Sequence, residues 1–233
     1  MEDETSGLWL FGYGSLIWKP PPHFDRRVPG YINRYVRRFW QASEDHRGTP
    51  QAPGRVVTLI DHDHWKSLSD PHANAPERVW GAAYHIPPAR TQEVKEYLDI
   101  REINGYSIQY TPFYPAESVR QSDGSLPEKF SCLVYIGLPE NPQFVGPQDL
   151  DALAAHILKS VGPSGENKEY LYMLEMALET LSPESVDEHV SDLAGRCREL
   201  ERARGPEERD EERKHVGEGL TRVRSTEEQE EVE

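Results

Sequence analysis

Residues 8–18 read LWLFGYGSLIW, a hydrophobic strand that is broken after a few residues by two glycines and a serine. The simplest interpretation is a tight turn in which Gly12 and Gly14 supply positive φ angles. Phosphate-binding motifs do not fit, because the segment lacks the third glycine of a dinucleotide fingerprint and the Lys-Ser/Thr of a P-loop. Ser15 is not in a G-x-S-x-G elbow either. The remaining interpretation is a loop of backbone N–H groups suited to a carboxylate or a developing oxyanion.

Further runs of apolar, β-branched and aromatic residues follow this strand, most of them flanked by Gly, Pro, Asn or Asp. Such runs are typical of β-strands. Together with the first strand, the runs span residues 8–11, 28–42, 55–60, 79–86, 106–114 and 130–137. Six strands of this kind predict a mainly antiparallel sheet or barrel.

Long helical periodicity is found only after these strands. Apolar residues at i, i+3, i+4 and i+7 predict a helix over residues 150–161 and another over 171–181. Ser182-Pro183-Glu184 predicts the cap of a third helix that runs to about Leu200. A shorter helix is predicted over residues 91–99. Strands first and helices after, without regular alternation, predict an α+β domain.

The charge of the chain argues against nucleic acid and membrane surfaces as partners. The formal net charge is −15, so the summed field repels phosphate backbones and anionic lipids. The amino-terminal MEDETSG lacks the basic and apolar segments of a signal peptide, and no stretch approaches the about 20 apolar residues of a membrane span. We therefore expect a soluble, cytoplasmic protein. Cys132 and Cys197 are predicted to be small buried hydrophobes rather than a disulfide.

Two segments differ in composition from the rest of the chain. Residues 61–78 are polar and turn-rich, which predicts a surface loop inserted in the domain. From about residue 201 the chain is rich in Glu, Arg, Asp and Gly and has almost no apolar residues. The sequence therefore predicts a single domain over residues 1–200 and a charged, disordered tail over residues 201–233.

A second informative stretch is YLDIREINGYSIQYTPFYP, residues 97–115. Glu102 lies between Ile100 and Ile103, at the junction of a predicted helix with an Asn-Gly turn into a new strand. A carboxyl at such a junction can be partly desolvated, which raises its pKa and suits it to proton transfer. The alternative is a surface glutamate paired with Arg101.

Other candidate residues can be interpreted either as functional or as purely structural. Arg55 is suited to pair with a substrate carboxylate through its planar guanidinium, or it is an exposed charge at a strand start. Tyr114 and Tyr170 either donate hydroxyls to a substrate or pack in the core. Asn167, near a helix start, is predicted to be a cap. The His62-Asp63-His64 sequence lies in a polar loop with no clear partner ligands, so no metal site is predicted.

Several motifs, in chain order, resemble those of the ChaC family of glutathione-specific γ-glutamylcyclotransferases. They are FGYGSLIW, RRFWQASEDHRGTPQAPGRVVTLID, VWGAAYHI, YLDIREINGY, FYP and GPSGENKEYL, and they cover roughly residues 8–181. The resemblance implies a γ-glutamylcyclotransferase-like fold, a mixed, mainly antiparallel barrel-like sheet with flanking helices. It also implies cleavage of reduced glutathione into 5-oxoproline and cysteinylglycine, without a cofactor.

The same resemblance assigns site residues. It implies that Tyr13, Gly14, Ser15 and Leu16 bind the γ-glutamyl group and that Glu102 is catalytic. The chain departs from the family pattern after Glu102, where Asn104-Gly105 replaces a pair of glycines. Two alternatives stay open: a cyclotransferase that acts on other γ-glutamyl amino acids or amines, and a non-catalytic regulatory protein whose acidic tail docks a partner.

Overall fold

The structure is a computed structural model and describes residues 7–101, 106–119, 128–137 and 139–203. The strands are β1 (Leu8–Gly12), β2 (Arg26–Asn33), β3 (Tyr35–Ser43), β4 (Gly54–Asp61), β5 (Arg78–Ile86), β6 (Tyr106–Pro115), β7 (Phe130–Gly137), β8 (Val161–Gly162) and β9 (Gly165–Glu166). The α-helices are α1 (His62–Trp65), α2 (Thr91–Arg101), α3 (Leu150–Lys159), α4 (Asn167–Leu181) and α5 (Glu188–Ala203). Short 3-10 turns span Ser15–Ile17 and Pro88–Arg90.

The central feature is a closed barrel with the strand order β1-β5-β2-β6-β7. Neighbouring strands are antiparallel, except that β7 returns to β1 in parallel, with Leu10 opposite Leu133. Helices α3, α4 and α5 pack with the barrel around one continuous apolar core. The predicted α+β fold with a barrel-like, mainly antiparallel sheet is therefore confirmed.

The apolar run over residues 28–42 is two strands rather than the single strand predicted. Arg34 has a φ angle of +71° and separates β2 from β3. Strand β2 lies in the barrel, whereas β3 pairs with β4 in a two-stranded ribbon. The prediction failed because a single residue in the left-handed region redirects the chain without a glycine or proline to mark the turn.

The predicted helical periodicity is confirmed in the second half of the chain. Leu153, Ile157, Leu174, Leu178 and Leu193 are all buried. Both cysteines are buried free thiols, as predicted, and burial raises the pKa of each thiol, that of Cys197 to about 12. No helix in the described residues has both the length and the apolar character needed to cross a bilayer.

Helix α5 begins later than its predicted cap. The first helical residue is Glu188, and the side chain of Asp187 accepts a hydrogen bond from the Val190 N–H at 3.3 Å. Asp187 also pairs with the buried Arg37 at 3.2 Å. Asp187 rather than Ser182-Pro183-Glu184 therefore caps the helix, because its carboxylate satisfies both an N-terminal amide and a buried cation.

Residues 61–78 are more ordered than the surface loop that the sequence predicts. They contain α1, and Trp65 is buried. The carboxylate of Asp70 accepts hydrogen bonds at 2.6 Å from both Arg38 and the Trp65 indole. The segment is thus anchored to β3 by a buried ion pair.

Asn167 joins the start of β4 to the start of α4. Its side-chain oxygen accepts the Arg55 N–H at 2.7 Å, and its side-chain nitrogen donates to the Arg55 carbonyl at 2.7 Å. The residue is fully buried, at 0% exposure. Asn167 is therefore a link between two elements and not the predicted helix cap.

We expect Asn167→Leu to lower the free energy of unfolding by about 2–4 kcal/mol, because it leaves two polar backbone groups of Arg55 without their partner. Chemical denaturation followed by circular dichroism measures this difference. Met176→Ala, on the same helix at a side chain that is 52% exposed, is the matched control and should change stability by less than about 0.5 kcal/mol. Equal effects of the two substitutions would contradict the linking role.

Candidate active site

A cavity of about 450 Å³ opens where β1 ends. We call it the β1 cavity. Its walls come from the end of β1, from β3, β4 and β7, and from the start of α4. The residues that line it are Phe11, Gly12, Tyr13, Gly14, Ser15, Leu16, Trp18, Lys19, Pro20, Ala42, Ser43, Asp45, His46, Arg47, Val56, Val57, Tyr97, Tyr135, Gln143, Ser164 and Tyr170.

Residues 13–16, which we call the glycine loop, all line the β1 cavity. The loop runs into the 3-10 turn Ser15–Ile17, whose first internal hydrogen bond joins the Ile17 N–H to the Gly14 carbonyl at 3.0 Å. The amide of Leu16 precedes that bond, so the turn itself provides no acceptor for it. Such an amide is suited to bind an anionic or carbonyl oxygen.

Gly14 is required for close packing rather than for a positive φ angle. The glycines with positive φ among the described residues are Gly7, Gly146 and Gly165, so the simplest interpretation of the two loop glycines is wrong. A Cβ atom on Gly14 would lie 2.8 Å from the Tyr170 hydroxyl and 3.1 Å from a methyl group of Val57. The absence of a side chain therefore lets α4 and β4 approach the loop backbone.

Tyr13 ties the glycine loop to the opposite wall of the cavity. Its hydroxyl donates a hydrogen bond to the backbone carbonyl of Tyr135 in β7 at 2.9 Å. Both side chains are largely buried and line the cavity. The Tyr13 hydroxyl thus makes a structural contact at this site.

Arg47 is a buried cation on the cavity wall that sequence reasoning missed. Its side chain is 8% exposed, and its Nη1 donates to the Glu166 carbonyl at 2.8 Å and to the Glu169 carboxylate at 3.3 Å. The guanidinium carbon lies 5.9 Å from the centre of the Tyr170 ring. No local pattern marks Arg47, since it lies in a polar segment between two strands and all these partners are more than 100 residues away in sequence.

Two predicted site residues do not line the β1 cavity. The Arg55 Nε donates to Gln148 at 3.2 Å, and its Nη1 donates to the carbonyls of Pro53 and Gly54. Tyr114 stacks on Tyr31 with ring centres 5.4 Å apart. Tyr170, in contrast, lines the cavity, as do all four residues of the glycine loop.

Glu102 lies outside the described residues. The described elements on either side of it are α2 and β6. Tyr97 of α2 lines the cavity, and Ile108 of β6 is paired with the cavity residue Tyr135 of β7.

The segment 61–78 lies at a different cavity. Its residues His72, Ala75, Pro76 and Arg78 line a second space of about 260 Å³, together with residues of β3, of β5 and of the segment that leads into α5. None of the residues that line the β1 cavity belongs to this segment in the described part of the chain. The segment therefore lies away from the lining of the β1 cavity.

Comparison with known proteins identifies the family. The model of the ChaC-like protein family matches residues 8–200. The chain belongs to the ChaC family. This match includes every described residue that lines the β1 cavity.

Two fungal relatives and one solved structure are similar to this ChaC-family chain over most of its length. It is 46% identical over 192 residues to the glutathione-specific gamma-glutamylcyclotransferase of Schizosaccharomyces pombe, a match that covers 82% of this chain and 92% of that protein. It is 42% identical over 205 residues to the Saccharomyces cerevisiae protein of the same name, covering 76% of this chain and 88% of the relative. A crystal structure of a yeast γ-glutamyl cyclotransferase specific to glutathione aligns with a TM-score of 0.73 at 37% identity, covering 83% of this chain and 96% of that one.

For this ChaC-family chain we expect Gly14→Ala to lower the free energy of unfolding by about 1–3 kcal/mol, because the new methyl group displaces the Tyr170 hydroxyl or the loop. Gly195→Ala is the control: a Cβ at this α5 position meets nothing within 4 Å, so alanine should stabilise the helix by up to about 1 kcal/mol. Thermal unfolding of both variants measures the difference.

The double variant Gly14→Ala/Tyr170→Phe separates packing from other causes. Removal of the Tyr170 hydroxyl removes the nearest atom in the clash, so part of the lost stability should return. Tyr170→Phe alone gives the reference cost of removing the hydroxyl. If the same substitution lowers the stability of Gly14→Ala by that full cost, the clash with the hydroxyl does not cause the stability loss in Gly14→Ala.

Proposed function

We propose that this protein is a cytoplasmic, glutathione-specific γ-glutamylcyclotransferase that converts reduced glutathione into 5-oxoproline and cysteinylglycine. The observation that carries this proposal is its similarity, at 42–46% identity over most of each chain, to two proteins with that name. The β1 cavity adds chemical support, because the glycine loop and a buried arginine both line it.

The reaction needs no external nucleophile. The α-amine of the γ-glutamyl group attacks the γ-carbonyl carbon, a five-membered lactam closes, and the amide bond to cysteine breaks. Two protons leave the α-ammonium as it becomes the lactam N–H, and two are gained by the departing nitrogen as the amide N–H becomes the ammonium group of cysteinylglycine. Holding the γ-glutamyl chain curled makes this attack intramolecular, and well-oriented ring closures of this kind lower a barrier by about 7–11 kcal/mol.

The walls of the β1 cavity suit the γ-glutamyl group. The Leu16 amide of the glycine loop is a donor for the oxyanion that develops on the γ-carbonyl oxygen. Arg47 donates to Glu166 and to Glu169 through Nη1. Among the described residues, its Nη2 and Nε have no hydrogen-bond partner. A guanidinium fork of this type is suited to the α-carboxylate of the substrate.

Glu102 is the proposed proton carrier. It takes a proton from the α-ammonium and delivers it to the leaving nitrogen, so one carboxyl performs both steps. The proposal is supported by the resemblance of REINGY to the family motif and by Tyr97 of the preceding helix, which lines the cavity.

The proposed function is tested with purified protein and a set of γ-glutamyl substrates. Reduced glutathione, oxidised glutathione, γ-Glu-Ala and γ-glutamyl-lysine are incubated separately, and 5-oxoproline and the released amine are measured. We expect a strong preference for reduced glutathione, expressed mainly in kcat/KM. The reason is that a site built to hydrogen-bond the departing dipeptide loses much transition-state binding energy when a substrate leaves its polar groups unpaired. A missing methylene group costs far less.

Similar kcat/KM values for glutathione and γ-Glu-Ala would reject glutathione specificity and favour a broader cyclotransferase. Absence of 5-oxoproline from every substrate would reject the enzymatic function altogether and favour a binding protein.

We expect Glu102→Gln to reduce kcat by at least about 100-fold, because an amide keeps the shape of the side chain but does not carry the proton. Circular dichroism and thermal unfolding should be unchanged. Glu96→Gln is the matched control, since Glu96 is an exposed residue of α2, and it should keep full activity. Wild-type turnover by Glu102→Gln would remove Glu102 from the mechanism.

A further inference from the structure

The described lining of the β1 cavity contains two permanently charged cations. Among the described lining residues, Lys19 and Arg47 are cations and Asp45 is an anion. Glutathione carries two carboxylates and one ammonium group. The lining therefore has one permanent cation for each carboxylate of the tripeptide.

The two cations lie at different depths. Arg47 is buried and is held against Tyr170 and Glu169, next to the glycine loop. Lys19 is exposed and lies at the mouth of the cavity. Its backbone N–H donates to the Ser15 carbonyl at 2.8 Å, which fixes it one turn beyond the loop.

Lys19 has no ion-pair partner among the described residues, unlike two other lysines of the chain. Lys66 lies near Asp63 and Glu77, and Lys168 lies 3.0 Å from Glu166 and 3.1 Å from Glu201. The ammonium group of Lys19 is therefore not neutralised by a described neighbour. A flexible four-carbon stem lets it reach a ligand at the cavity mouth.

We propose that Lys19 binds the glycyl carboxylate of glutathione and so contributes to the preference for the tripeptide. This inference rests on the proposed function. An extended tripeptide spans about 10 Å, so a γ-glutamyl group at the glycine loop places the glycyl carboxylate towards the cavity mouth. His46, the other basic residue at the mouth, is already held by a contact of 3.2 Å between its Nδ1 and the Ser164 hydroxyl.

The test combines one enzyme variant with one substrate variant. Wild-type protein and Lys19→Met are each assayed with glutathione and with its glycyl ethyl ester, in which the carboxylate is neutral but the rest of the molecule is retained. For the wild type we expect kcat/KM with glutathione to exceed that with the ester by about three- to fivefold, the effect of an exposed ion pair. In Lys19→Met the value for glutathione should fall to that of the ester, and the value for the ester should not change.

Two further variants sharpen the result. Lys19→Arg keeps the charge and should retain most of the preference for glutathione over the ester. Lys159→Met removes an exposed lysine at the end of α3, outside the cavity lining. It should leave kcat/KM unchanged for both substrates. Raising the ionic strength should reduce the wild-type preference, because salt screens an exposed pair.

An equal fall in kcat/KM for both substrates in Lys19→Met, or no fall for either, would overturn the assignment of Lys19 while leaving the proposed function intact. Failure of the wild type to release 5-oxoproline from glutathione would instead reject the proposed function, and the assignment of Lys19 with it.

Discussion

Closure of the barrel at β1 is the constraint on which the candidate site depends. Strand β1 is hydrogen-bonded to β5 on one edge and contacts β7 on the other, so neither edge is left open. Gly12, the last residue of β1, is paired with Ala82, which fixes where the chain leaves the barrel. The glycine loop begins at the next residue, so its position is set by sheet register rather than by its own flexible sequence.

The charged residues of the β1 cavity lie outside the barrel. Arg47 is in the connection between β3 and β4, and this connection is held to the β8–β9 hairpin by the hydrogen bond from the Ser164 N–H to the His46 carbonyl at 2.9 Å. Glu169 on α4 supplies the carboxylate that orients Arg47. The barrel thus positions the glycine loop, while the connection between β3 and β4 carries Arg47 and α4 supplies its carboxylate partner.

Local patterns predicted most of the fold, because strands, helices and the glycine loop depend on near neighbours in sequence. Long-range contacts were not predictable in this way. Arg55 and Asn167 have the local context of a ligand and a cap, but each is held by partners brought close by folding. Arg47 has no local signal, since its burial results from contacts with α4 and with Glu166, the residue before that helix. The predicted role of Glu102 rests on the family motif and on its position after a predicted helix, and Glu102 lies outside the described residues.

The burial of both cysteines has a consequence for redox chemistry. Cys132 and Cys197 are the only thiols of the chain, both are 0% exposed, and burial raises the pKa of each. Thiol–disulfide exchange requires an accessible thiolate, and neither residue meets that requirement in the folded state. The folded protein is therefore resistant to mixed-disulfide formation with glutathione, so its activity would not follow the thiol–disulfide balance of its surroundings through its own cysteines.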